Sequence, residues 1–431
     1  MKGNTLAIVL LVVGLVVGAG AGYFLAPSGG DGGDGTGPVS VELPLQGKTI
    51  QIGYISSTTV GLETATPLIQ DIMVPDYNAY ATLMGYDVEF EYLIDDATGQ
   101  AAVHLEKVQG FKSMDINSFI GGLWSSQAQA ALSYCNDNDM LMWSTSSTSP
   151  LLAIADDNLL RMCPTDLVQA PAIAAMIKSM GVEAVVLIYR GDAWADGIVN
   201  YFEPAFVADG GVILEKIRYA GESTEFSNYL QTAENIVSDA IAQYGEGKVG
   251  IELIAFQEFV TMITQAQDYE ALYSLPWFGS DGTVLTQQAI DDAPSQASHL
   301  HIYSTYAAPA ESEVFTNLYA RYFGLVNQPF GYYSACSYDV GWVLTSTILE
   351  SQSTDALDII PLQAPAAFRQ WGASGWNRLN DDGDRYASNY QVWGYGDLGA
   401  GVQNVVYGMY DSTLGQMTWN VEALGFTPQS R

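Results

Sequence analysis

The chain predicts a two-lobed α/β protein in which each lobe is a parallel sheet covered by helices on both faces. Three observations carry this. From residue 49 onward, apolar runs of strand length alternate with helical patterns, the signature of parallel strands joined by right-handed crossovers. The same rhythm restarts near residue 166 and yields a second set of similar size, a repeat of layout with no repeat in sequence. The part that follows the N-terminal segments, about 390 residues, exceeds what one compact core usually holds.

The first set opens with a strand over 50–56, then a helical stretch over 68–84 and a strand over 86–94. Helix 101–113 leads to strand 116–121, helix 126–136 to strand 140–144, and 159–163 closes the set. In the second set, helix 168–180 ends at Gly181, suited to a left-handed C-terminal cap. Strand 184–189 is continuously apolar, as a central parallel strand should be. Helix 195–207, strand 212–219, helix 227–244, strand 249–256, helix 258–272, strand 277–280, helix 283–291 and strand 299–303 follow. A final section holds an amphipathic helix over 338–350, a polar turn over 380–385, a strand over 390–395 and further strands within 403–419.

The N-terminus sets the compartment. Residues 6–25 are uncharged and mostly apolar, and about 20 such residues span a bilayer as a helix. Lys2 precedes the run and no basic residue follows until Lys48, which places the N-terminus inside. A cleaved signal peptide and a retained anchor both fit; the length of the run favours the anchor. A Gly/Asp/Pro-rich linker leads onward, so the expectation is a single-pass cell-membrane protein whose main domain is extracytoplasmic and works without ATP.

With 48 acidic and 15 basic residues, net charge −33, the surface repels phosphate, and nucleic acid is excluded as a partner. Cys135, Cys163 and Cys336 lack metal-ligand spacing. Cys135 and Cys163 end neighbouring elements, so a bridge and buried free thiols both stand as readings. The catalytic inventory is thin. His104 falls on an exposed-looking helix beside Glu106, while His299 and His301 lie two apart on one strand face without a third ligand in sequence. There is no nucleophile-elbow or phosphate-loop motif. The acidic turn 380–384 has carboxylates around a glycine, as calcium loops do, but lacks a bidentate glutamate. A charged turn is the preferred reading, and neither metal nor cofactor is expected.

The loops at the strand C-terminal ends are more informative, because ligands of open α/β sheets gather there. They carry Ser56–Thr59, Gly121–Ser126, Ser144–Pro150, Arg190–Trp194 and Asp281–Gly282. Hydroxyls and helix-start N–H groups suit a carboxylate, a facing acid suits an ammonium, and aromatics suit an apolar body. Helix capping explains any one hydroxyl cluster equally well; the whole set on one rim is harder to explain that way.

These residues resemble the substrate-binding proteins of branched-chain amino acid and amide ABC transporters, the type I periplasmic-binding family. The opening strand 48–56, the loop FIGGLWSSQAQA at 119–130, the segment 140–150 and the first-crossover stretch LRMCPTDLVQA at 160–170 carry the likeness. So do 184–197, WFGSDG at 277–282 and GWNRLNDDGDRYASNY at 375–390. The resemblance runs from about residue 48 to the end. It implies a Venus flytrap, two lobes joined by three crossovers, with residues 48–165 and 306–379 in the first lobe and 166–304 and 385–427 in the second. It implies that Ser125, Ser126, Ser146 and Thr148 hold a ligand carboxylate, that Trp194 and Phe256 supply aromatic contacts, and that Asp281 receives the ammonium. Trp194 stands where tyrosine is usual, and Asp281 where glutamate is common. The implied function is capture of an amino acid or related small polar solute for an ABC permease, with no catalysis. A ligand sensor or structural surface protein built on the same fold, and an extracellular hydrolase, are the rival readings.

Overall fold

The computed structural model describes residues 43–428. The uncharged run 6–25 lies outside them. Among the described residues no helix is long and apolar enough to cross a membrane.

Two parallel sheets form the frame. In the first, β1 (Lys48–Ser56) is flanked by β2 (Val88–Asp96) and β3 (Ser118–Ile120), followed outward by β4 (Leu141–Ser144) and β5 (Leu159–Pro164). The second contains β6 (Ala184–Gly191), β7 (Val212–Ala220), β8 (Val249–Ile254), β9 (Trp277–Gly279) and β10 (Tyr303–Ala307). After a hairpin of β11 (Trp371–Gly372) and β12 (Gly375–Trp376), β13 (Asp384–Arg385) adds to β5 in parallel. The chain then returns to the second sheet, where β14 (Tyr390–Asp397), β15 (Val402–Asp411) and β16 (Gln416–Trp419) extend it antiparallel from β10. It therefore crosses between sheets three times. Tyr306 and Ala307 complete β10 and Arg385 pairs beside β5, so at these residues the crossovers fall slightly later than the sequence suggests.

The central strands are buried on both faces, β4, β5 and β8 along their whole length, which is why they read as mostly apolar runs, interrupted by Arg161 in β5 and Glu252 in β8. Helices cover both faces. The stretch Thr59–Leu83 is helical throughout, with a π-turn at Leu68–Met73. The expected helix 258–272 is broken into Phe259–Ala266 and Glu270–Ser274. Helices Glu313–Val326 and Ala356–Arg369 had no counterpart in the sequence reading. The second contains Pro361 and Pro365, residues that argue against a helix interior.

Two expectations are corrected, and one of the two cysteine readings is decided. His104 is fully buried, on the same helix face as Val108 and Phe111. His299 and His301 share no strand, because helix Pro294–Leu300 runs to His299 and β10 begins only at Tyr303. His299 stacks on Tyr273, and His301 bonds the Tyr395 carbonyl through Nδ1 at 3.0 Å. Cys135, Cys163 and Cys336 are buried free thiols; Cys163 and Cys336 donate to the Ser147 and Met162 carbonyls.

Glu252 is an exception to the apolar core. It lies mid-strand in β8 between Leu187 and Phe278, and neither carboxyl oxygen has a hydrogen-bond partner. Burial pushes its pKa well above the ordinary 4.5, so the group is neutral in the fold. An acid whose folded pKa is raised contributes fully below its unfolded pKa, and that contribution is lost as pH rises toward the folded value. Glu252→Gln removes this loss. Its Tm relative to the parent protein should rise between about pH 5 and about pH 8, by roughly 2–4 °C per kcal/mol recovered. A Tm difference that stays flat across that range in thermal melts contradicts the assignment.

Candidate functional site

The cleft between the sheets has a volume of about 620 Å³. Loops from the C-terminal ends of the strands form much of its walls, and their local chemistry explains how they are placed.

Past β3 the chain turns at Gly122 with φ +59°, where an added Cβ would sit 2.9 Å from Ala128 and Met142. The Gly122 N–H donates to His104 Nε2 at 2.7 Å, and burial lowers the His104 pKa to about 4, so the ring stays a neutral acceptor. The turn delivers Trp124 and Ser125 to the cleft at the start of helix Ser125–Asp137. After β4, Arg161 organises the hydroxyl-rich loop. Its Nη1 donates to the Ser147 and Ser149 carbonyls at 3.1 and 2.7 Å, while Nε and Nη2 grip Asp384 of β13 at 2.5 and 2.7 Å. Both partners are buried.

In the second lobe, the Asp192 carboxylate caps helix Ala193–Ala208 by accepting from the N–H groups of Trp194 and Ala195, which fixes Trp194. Gly282 permits close approach, since a Cβ there would lie 2.3 Å from the Ala255 carbonyl oxygen and 2.6 Å from the Trp194 ring.

The lobes touch across the cleft. Trp124 of the first stacks on Phe256 of the second, centroids 4.6 Å apart and planes within 12°, and Phe256 stacks on Trp194 at 4.3 Å and 8°. Arg190 lies over Trp124 and Phe256 and pairs with Asp192 and Glu258 at 2.7 and 2.8 Å. The Ser149 hydroxyl donates to the Ala193 carbonyl at 2.7 Å.

Asp281 lies in the cleft wall. It accepts from the Tyr333 hydroxyl of the first lobe at 2.5 Å and from Gln169 Nε2 at 3.0 Å. Burial raises its pKa, and these two donors oppose the rise. Behind it, Asp166 is wholly buried with both carboxyl oxygens unpartnered, and its pKa is raised well above the usual range, first by burial and then by Asp281. Of the two, Asp281 has the donors that hold a negative charge.

Of the residues expected at the site, Ser125, Ser146, Trp194, Phe256 and Asp281 meet in this cleft. Ser126 and Thr148 do not line it. Ser126 is half-buried in the first turn of its helix, and Thr148 is buried with its carbonyl accepting from the Asp166 N–H. The sequence reading passed over Tyr333, Gln169 and Tyr306. Gln169 sat inside the quoted crossover segment, whereas nothing local marked Tyr333.

With this geometry in view, the comparisons with known proteins decide the family. The family described as the receptor family ligand binding region matches residues 74–397. The chain belongs to that family. An uncharacterized protein of Methanocaldococcus jannaschii is 26% identical to this family member over 395 residues, 86% of this chain and 91% of its own. An ABC transporter substrate-binding protein from Desulfitobacterium hafniense, solved in complex with leucine, matches with TM-score 0.64 and 18% identity, over 83% of this chain and 100% of its own. The branched-chain amino acid transporter substrate-binding protein LivJ of Streptococcus pneumoniae, solved with isoleucine, gives TM-score 0.67 and 17% identity, over 83% and 99%. At such identities the two structures establish the fold, the type I periplasmic-binding architecture.

Removing the Arg161 guanidinium leaves the buried Asp384 carboxylate without a donor and takes one donor from each of the Ser147 and Ser149 carbonyls. Arg161→Met should cost about 3–5 kcal/mol, read as a fall in Tm. Arg161→Lys should recover only part of this, because one ammonium cannot reproduce the planar fork. A lysine variant that melts with the parent protein would remove the guanidinium from this role.

Proposed function

We propose that this chain is a solute-binding protein that captures an amino acid or related small amine in its interlobe cleft. The observation that carries the reading is that Asp281 and the helix start at Ser125 line one cleft together with Trp124, Phe256 and Trp194. Asp281 offers a charge to an ammonium group, first-turn N–H groups and hydroxyls offer donors to a polar or anionic end, and the rings offer apolar surface. Ser126 and Thr148 drop out of the proposed contact set. Contact with both lobes ties ligand binding to the closed arrangement, so binding shifts the population toward it.

Binding without chemistry is supported by the placement of the candidate bases. His104 is buried and bonded to Gly122, and none of the three histidines lines the cleft. The Ser125 and Ser146 hydroxyls are hydrogen-bonded to serine and backbone groups, not to a base. The two structural relatives solved with leucine and isoleucine support delivery to an ABC permease as the use of the closed form. The uncharged run 6–25 supports an extracytoplasmic domain held at the cell membrane. A ligand sensor would use the same cleft and differ in the partner that reads it.

A thermal-shift screen of amino acids and their amides on the full chain tests the reading. Ligand at 100-fold above its Kd adds about 2.7 kcal/mol of stability. Asp281→Ala should abolish the shift for every amine-bearing ligand while the unliganded protein still melts cooperatively. A shift that survives the substitution removes the ammonium clamp.

A further inference from the structure

The chemistry of the cleft walls is lopsided. Asp281 stands ready for an ammonium, but little faces a ligand carboxylate. Ser125 Oγ accepts from the Ser147 hydroxyl at 3.1 Å and from the Ser149 N–H at 3.2 Å, and the Ser146 hydroxyl donates to the Leu123 carbonyl at 2.7 Å. What remains there is the Ser125 proton with the Ser125 and Ser126 N–H groups, and elsewhere on the wall neutral hydroxyls such as those of Tyr306 and Ser334. Among the described residues no Lys or Arg lines the cleft. Arg190 stacks over Trp124 and Phe256 and is neutralised by Asp192 and Glu258.

The cleft is also larger than one amino acid needs. Its volume of about 620 Å³ is in the range of sites that enclose ligands of drug size. Both lobes contribute primary amides to its walls: Gln257 and Gln288 from the second, Gln328 from the first. Their side chains are exposed and make no hydrogen bond to the other described residues. Each such amide offers donors and an acceptor together, the complement of a peptide unit, and none favours a charged group.

We propose that the cleft takes an amine-terminated, amide-bearing chain longer than one amino acid, in the class of a short peptide or its amide. The ammonium rests on Asp281, and the peptide units that follow lie along Gln288 and Gln328. This rests on the solute-binding reading above and narrows it: the ligand is a cation with neutral amides, in place of a free zwitterion.

The test is calorimetric titration of the full chain with each standard amino acid, its amide, its glycinamide dipeptide, and the N-acetylated form of the best binder. The tightest glycinamide dipeptide should bind at least ~10-fold more tightly than the corresponding free amino acid, and acetylation should abolish binding. The double variant Gln288→Ala/Gln328→Ala should weaken that dipeptide about tenfold and leave the single-residue amide within about twofold. Free amino acids binding more tightly than their amides and dipeptides overturn the inference and leave the solute-binding reading intact. Equal losses for the amide and the dipeptide in the double variant also overturn it. Absence of binding by every amine-bearing probe overturns both.

Discussion

The buried ion pair between Arg161 and Asp384 is the constraint on which the cleft depends. The two residues are 223 positions apart and fully desolvated. A planar guanidinium matches a carboxylate through two parallel bonds and still has donors to spare. Here the spare donors hold the carbonyls of Ser147 and Ser149. One side chain thereby joins β5 to β13 and sets the shape of the hydroxyl-rich loop. That loop places Ser146 in the cleft wall and sends the Ser149 hydroxyl to the Ala193 carbonyl of the other lobe. Burial raises the Asp384 pKa and Arg161 opposes the rise, so the fork favours the charged carboxylate. The turn before it is built inward as well: Asn380 Oδ1 accepts from the N–H groups of Asp382 and Asp384. The acidic residues at 380–384 thus serve a tight turn that presents Asp384 to Arg161.

The crossover that starts at Asp166 links this anchor to the ligand end of the cleft. Gln169, one turn into helix Asp166–Ser179, donates both to Asp281 and to Thr305 Oγ1, and so ties Asp281 to the second lobe. Tyr333 ties it to the first. Opening the lobes breaks the Tyr333 bond and unstacks Trp124 from Phe256. A hydrogen bond to a charged group contributes about 1.5–3 kcal/mol, and an aromatic pair about 0.5–1.5 kcal/mol beyond its buried area. These contacts favour closure by an amount comparable with the free energy that usually separates two conformers of one protein. A ligand then needs only a modest difference in affinity between open and closed forms to control which one dominates.

The frame was legible because its signals are local. The burial of β4, β5 and β8 is written as mostly apolar runs, with Arg161 and Glu252 the exceptions, and the alternation of strands and helices gives the parallel order. Two of the segments that suggested the family, 160–170 and 375–390, turn out to contain the two halves of the Arg161–Asp384 pair. Their pairing is non-local and has no counterpart in spacing. His104 was misread although the signal was present: His104, Val108 and Phe111 follow the i, i+4, i+7 spacing of a buried face. Tyr333 could not be found this way. It begins helix Tyr332–Ser351, 52 residues after Asp281, and its role exists only once both lobes are folded and meet. Thr148 shows the opposite error. A hydroxyl inside a hydroxyl-rich loop invites a ligand role, yet its side chain is packed inward behind the cleft wall.

The placement of charge around the cleft is argued from the same contacts. The chain carries a net charge of −33, and such a field raises the local concentration of cations and slows the approach of anions. Arg190 is the guanidinium beside the cleft. Its charge is balanced by Asp192 and Glu258, and its plane is placed over Trp124 and Phe256, where it supports the ring stack instead of meeting solvent. The acid that lines the wall without a basic partner is Asp281, held by two neutral donors. A neutral donor steadies a carboxylate without cancelling its charge, so the attraction for an incoming cation survives closure. Asp166, buried close behind, would weaken that arrangement by repulsion if it were ionised; burial and the nearby Asp281 raise its pKa, which favours its neutral form and reduces that repulsion.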